Sequence, residues 1–146
     1  MWNVISGRDA MIHKVYQVEA NDYDNAGNAS SDIKKTLKSL GVHRYLLKAV
    51  AIACYEAEIN IVIHSHGGTV TLDVFDDGKV QLKFDDVGPG IPDLDLALTP
   101  GWSTASAKAR NLGFGAGMGL CNMKGVAESF DIHSSSEGTH ITMTFQ

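Results

Sequence analysis

The stretch HRYLLKAVAIACYEAEINIVIH, residues 43–64, is apolar on almost every face of a helix of that length. A helix that is hydrophobic all round has to be enclosed by other elements, so the chain must be built around it. Lys48, Glu56 and Glu58 interrupt it, which marks a core helix rather than a membrane span. The chain has 146 residues, 44% of them hydrophobic and 20% charged. That is enough for one domain, residues 1–146, with a sizeable core around this helix.

The cover for the helix is read from periodicity. Alternation in "IHKVYQVEA" predicts a strand over 12–20. A loop of turn formers follows, with Ser30 or Ser31 as the expected cap of a helix over 32–40 that stops at Gly41. "TVTLDVF" (69–75) and "KVQLKFD" (79–85) flank Asp76-Asp77-Gly78, a strong hairpin signal. Residues 86–112 hold all three prolines and read as a long irregular segment. Loops of that length inside a domain are usually functional, and a lid is expected over about 95–118. A helix over 119–130 and a last hairpin, "FDIHSSS" with "THITMTF", complete the chain. The order predicts an α+β fold: a two-layer sandwich with a mostly antiparallel mixed sheet and helices on one face.

The net charge of −5 argues against a nucleic-acid partner, which usually shows as a basic patch. No basic segment followed by an apolar run opens the chain, so no secretory signal is expected, and no membrane partner is expected either. Cys54 and Cys121 are the two cysteines. Both sit in apolar helical patterns and read as buried free thiols of a cytoplasmic protein.

Three places break these patterns. In the long helix, Glu56 and Asn60 are four apart and share a face with the small residues Ala49 and Ala53. Alone, Glu56 reads first as a helix-end acid paired with a lysine. Glu58 lies on another face and is expected to reach solvent. The second break ends the hairpin strand: by period 2, Asp86 falls on the apolar side and Asp85 on the wet side, just before "VGPGIP". Asp86 is either bonded to nearby backbone amides or an inward acceptor for an exocyclic amine. Adenine carries such a donor where guanine carries an oxygen. Gly88 and Gly90 would let backbone lie against a flat base. The third break is "GFGAGMG", with glycine at 113, 115, 117 and 119 before a helix. It is either a flexible loop or backbone that must approach phosphate closely. No Gly-Lys-Ser/Thr follows it, and no strand leads into it, so it fits neither common nucleotide-loop pattern.

"EAEIN" (56–60), "DVGPG" (86–90), "GFGAGMG" (113–119) and "EGT" (137–139) resemble, in order, the conserved boxes of the Bergerat-fold ATPases. That superfamily includes gyrase B, histidine-kinase catalytic domains and anti-sigma-factor kinases. "GPGIPD" (88–93) and "GWSTA" (101–105) look most like the small anti-sigma-factor and stressosome-switch serine/threonine protein kinases. The resemblance covers nearly the whole chain. It implies binding of ATP with Mg²⁺, Asn60 as metal ligand, and Glu56 as the catalytic residue, either a general base or the group that orients the attacking hydroxyl. It implies that Asp86 binds the adenine amine with support from Thr139, and that Gly88 and Gly90 shape that pocket. Gly113, Gly115, Gly117 and Gly119 would wrap the phosphates, and Lys108 or Arg110 could reach the γ-phosphate or remain solvated. The partners implied are a protein antagonist as substrate and a sigma factor, and a homodimer is compatible with the family. Two alternatives stand beside the kinase: a non-catalytic nucleotide-binding regulator that sequesters a partner, and a histidine-kinase-like ATPase domain acting on a separate protein.

Overall fold

A computed structural model gives the fold and describes residues 10–91 and 119–146, with side chains of the second stretch from Met123 onward. The elements are β1 (Ile12–Val18), α1 (Asn28–Ser39), α2 (Arg44–His64), β2 (Gly68–Val74), β3 (Val80–Asp86), α3 (Gly119–Val126), β4 (Ser129–Ser135) and β5 (Gly138–Phe145). The five strands form one sheet in the order β1-β2-β3-β5-β4, with every ladder antiparallel. α1 and α3 both pack against α2. The expected α+β sandwich is therefore the observed one. The lid expected over 95–118, with Gly113, Gly115, Gly117, Lys108 and Arg110, lies outside the described residues.

Side chains on a strand alternate between faces, and the register here lines up the apolar ones in rows. Val74, Val80 and Phe145 form one row, Leu72, Leu82 and Met143 the next, and Val70, Phe84 and Ile141 a third. All nine are buried, together with Val50, Ala53, Cys54, Ala57, Ile61 and Val62 of α2. The other sheet face is polar: Asp85 stands opposite His140, and their side chains meet at 2.7 Å.

α1 is fixed at both ends of its contact with this core. On the sheet side, the Tyr16 hydroxyl donates to Asp32 Oδ2 at 2.5 Å and Lys14 donates to Thr36 Oγ1 at 2.9 Å. Burial, then the bond to Asp32, pushes the Tyr16 phenol well up; that same bond holds the Asp32 carboxyl below its usual range. On the α2 side, Glu58 overturns its expected exposure: it is 2% exposed. Its Oε2 accepts from the Gly27 and Ala29 amides at 2.9 and 3.2 Å. Its Oε1 accepts from the Ser30 amide and hydroxyl at 2.8 and 2.9 Å.

Glu58 thus satisfies the open amides at the start of α1 from another helix, and the carboxylate sits at the positive end of that helix. This explains why α1 starts at Asn28 instead of residue 32, and why its N-cap, Gly27, has no side-chain cap. Neither Ser30 nor Ser31 caps it; Ser30 is inside the first turn. Two other boundaries move. β1 ends at Val18 because the chain turns onto α2, where the Asn21 amide donates to the Val62 carbonyl at 2.8 Å. α3 stops at Val126, short of residue 130, because the Glu128 amide already donates to Thr144 of β5 at 2.9 Å.

Replacing Glu58 strands several buried amides at once, and a buried donor without an acceptor carries its full desolvation penalty. Glu58→Ala is expected to lower stability by about 3 kcal/mol, read as a drop in the urea midpoint with an unchanged slope. A loss below about 1 kcal/mol, the size of an ordinary surface change, would mean that the clasp contributes little.

Candidate functional site

The apolar rows of the sheet have a polar continuation. One step beyond Val70–Phe84–Ile141 the register brings Gly68 opposite Asp86, and Ser134 of β4 opposite Thr139 of β5. Asp86 and Thr139 close the row between them: the Thr139 amide donates to Asp86 Oδ1 at 2.9 Å. The Thr139 and Ser134 hydroxyls meet at 2.9 Å. The same period that buries Phe84 thus turns Asp86 to the helix side of the sheet and Asp85 to the solvent side, as the alternation predicts.

Burial raises the Asp86 carboxyl above its usual 3.8, and the Thr139 amide partly opposes that. Oδ1 is engaged; Oδ2 has no hydrogen bond among the described residues. A partly buried carboxylate with one oxygen still open suits a ligand that brings an N–H donor. The exocyclic amine of adenine meets that requirement.

The segment after Asp86 is tied on three sides. The His66 amide donates to the Val87 carbonyl at 2.7 Å and the Val87 amide to the Gly67 carbonyl at 3.0 Å, which joins it to the exit of α2. The Gly88 amide faces the Glu137 carbonyl at 3.3 Å, and the Ile91 amide donates to Ser134 Oγ at 2.6 Å. Two glycines make this closeness feasible. At Gly90, with φ +75°, a Cβ would lie 1.9 Å from the Ser135 carbonyl oxygen. At Gly138 it would lie 2.1 Å from the Asp86 carbonyl oxygen. No side chain fits either gap.

α2 supplies the other candidates. Glu56 and Asn60 are both partly buried and share a face, one turn apart. On the same side Ala53 is buried and Ala49 partly so. α3, which Gly119 opens, packs against this helix. Its N-terminus is the end that attracts anions.

Sequence reasoning missed Ser134, Gly138 as a packing position, and the burial of Glu58. Each had a signal. The Ser136-Glu137 turn sets Ser135 against Gly138 and so Ser134 against Thr139. Glu58 shares its helical face with Cys54, Ile61 and Val62, all apolar and buried.

The chain resembles known proteins in sequence and in fold. Residues 20–145 match the family described as histidine kinase-like ATPase domain. The serine/threonine-protein kinase RsbT of Bacillus subtilis (strain 168) is 31% identical over 112 residues, which is 74% of this chain and 78% of RsbT. Among solved structures, the RsbU and RsbW domains of Rv1364c from Mycobacterium tuberculosis superpose with a TM-score of 0.59 at 17% identity, over 90% of this chain and 31% of that one. The SiaB-SiaC complex from Pseudomonas aeruginosa gives 0.52 at 10% identity, over 90% and 87%. At those identities the two structures speak for the fold. No helix among the described residues is long and apolar enough to cross a membrane.

The raised Asp86 carboxyl gives a signed prediction. Its folded pKa lies above the unfolded value, so its ionisation opposes folding. That cost is absent below the unfolded value of 3.8 and fully present once pH exceeds the folded value. Asp86→Asn keeps an oxygen for the Thr139 amide and removes the charge. It is expected to melt no lower than wild type at pH 7 and higher if the cost is large, with the gain vanishing below about pH 4. A substantial loss of stability at pH 7 would show that Asp86 serves the fold rather than a ligand.

Proposed function

Because the chain belongs to the histidine kinase-like ATPase domain family, we propose that it is a cytoplasmic, ATP- and Mg²⁺-dependent serine/threonine protein kinase of a partner-switching system. Its substrate is a small antagonist protein, and a sigma factor is a second partner of the same chain. The observation that carries this reading is the pairing of Asp86 with the Thr139 amide, which leaves Asp86 Oδ2 open, in a chain that also has Glu56 and Asn60 on one face of α2. Similarity to RsbT, a serine/threonine-protein kinase, supports the choice of acceptor.

In this reading Asp86 accepts the adenine amine and rejects guanine, whose oxygen would face a carboxylate. Gly88 and Gly90 keep the loop flat against the base. Asn60 holds Mg²⁺ through its side-chain oxygen, a hard ligand of the kind that ion prefers. The bound ion would supply charge neutralisation at the phosphates. The amides of Gly113, Gly115, Gly117 and Gly119, leading into α3, receive the phosphate oxygens. Glu56 takes the proton from the attacking hydroxyl of the protein substrate. Phosphoryl transfer depends mainly on positioning and charge neutralisation, so this short set of groups suffices.

Glu56 and Asn60 then fail differently. Asn60→Ala should weaken Mg·ATP binding and transfer together. Glu56→Gln should leave ATP affinity within about threefold while cutting transfer by roughly 10²–10⁴-fold, the usual worth of a positioned base. Calorimetry and transfer of labelled phosphate to an antagonist protein measure both. A transfer rate per folded molecule unchanged in Glu56→Gln would return Glu56 to a structural role. If wild type shows neither transfer nor ATP hydrolysis while partner binding still follows nucleotide, the protein is a nucleotide-gated binding module instead.

A further inference from the structure

We propose that Ser134, on the edge strand β4, is a positioning residue of the nucleotide site: it sets which way the Thr139 hydroxyl proton points and so which purine edge the site accepts. The inference rests on the nucleotide reading above. It starts from the hydroxyl chain that closes the polar row of the sheet.

A serine hydroxyl has one proton and two lone pairs. Ser134 Oγ accepts from the Ile91 amide at 2.6 Å and meets Thr139 Oγ1 at 2.9 Å. Among the described residues it has no further partner. If Thr139 donated to Ser134, the Ser134 proton would be left without an acceptor in a partly buried position, an unfavourable arrangement. If Ser134 donates to Thr139, the proton left over is that of Thr139, beside Asp86, and a ligand that presents an acceptor there satisfies every group. The chain then runs in one direction, from the Ile91 amide through Ser134 and Thr139 to a ligand.

That direction matches one base. Next to its exocyclic amine, adenine carries a ring nitrogen that accepts. Asp86 takes the amine, and the Thr139 hydroxyl, directly or through one water, donates to the ring nitrogen. Guanine reverses both positions, presenting an oxygen and then a ring N–H. Ser134 therefore reinforces the choice that Asp86 makes, without touching the base. It also holds the loop, since it accepts from the Ile91 amide and a Cβ at Gly90 would come within 2.9 Å of the same oxygen.

The test uses the whole chain with Mg²⁺ and three probes: ATP, its 1-deaza analogue, which lacks the accepting ring nitrogen, and purine riboside triphosphate, which lacks the amine. Wild type should bind ATP more tightly than either analogue. Ser134→Ala should weaken ATP about tenfold and the 1-deaza analogue far less, so that their ratio falls toward one. The penalty for the missing amine, read by Asp86, should persist. Ser134→Thr, which keeps the hydroxyl, should restore the ratio. A merely structural Ser134 would weaken all three probes alike and leave the ratios unmoved, which overturns the assignment; so does a wild type indifferent to the ring nitrogen. The ratios refer to folded protein, with melting temperatures recorded beside them. Ser134→Cys, a weaker donor, serves the same comparison if the alanine variant does not fold. A wild type that fails to bind ATP sinks the nucleotide reading as a whole. ATP binding with ratios unmoved by Ser134→Ala sinks this inference alone.

Discussion

The ladder between β3 and β5 is the constraint on which the candidate site depends. Its register is set by burial: Val80, Leu82 and Phe84 must meet Phe145, Met143 and Ile141 on the helix side. A slip by one residue would turn that whole apolar set to water. With the register held, the next inward position on β3 is Asp86, and the partner beside it is Thr139. The core therefore aims the carboxylate. The cost appears locally, in a carboxyl pushed above its usual range by burial and in glycines where backbone segments come too close for any side chain. A polar row at the end of an apolar sheet face is where a ligand can meet side chains that packing has already oriented.

A second constraint acts through α2. Glu56, Glu58 and Asn60 sit within one and a half turns, yet they serve different neighbours. Glu58 points into α1 and gathers the amides of Gly27, Ala29 and Ser30, while the Glu56–Asn60 face lies on the side of Ala53. Burying an acid in this way is tolerable only because backbone and hydroxyl donors surround it. The helix that carries the candidate base and metal ligand is thus held by α1 on one side, α3 on another and the sheet beneath. Such support from packed elements is what keeps side chains in a reactive geometry. The exit of α2 is also joined by backbone hydrogen bonds to Val87, so the helix and the end of β3 are linked as well as adjacent.

Much of this was legible in the chain because it follows from local rules. Period 2 in β3 separated Asp86 from Asp85, and the Asp-Gly signal located the β2–β3 hairpin. The long apolar helix had to be central, and Glu56 and Asn60 had to share a face because 3.6 residues make a turn. What was misread depended on partners distant in sequence. Glu58, on another face from Asn60, reads as solvent-facing from helix geometry alone; its donors are the amides of Gly27, Ala29 and Ser30, distant in sequence. The start of α1 was misplaced for the same reason, since its cap comes from another helix.

The sequence by itself determined the order of elements, the all-round burial of α2 and the face on which each strand residue falls, because these rest on periodicities carried by the chain alone. Only the tertiary structure decided that Asp86 meets the Thr139 amide, that Ser134 joins Thr139 to the Ile91 amide, and that Glu58 starts a helix from outside it. Those contacts join residues 5 to 53 positions apart. They exist because burying the apolar rows fixes strand register and helix docking together, and no local rule sums those two.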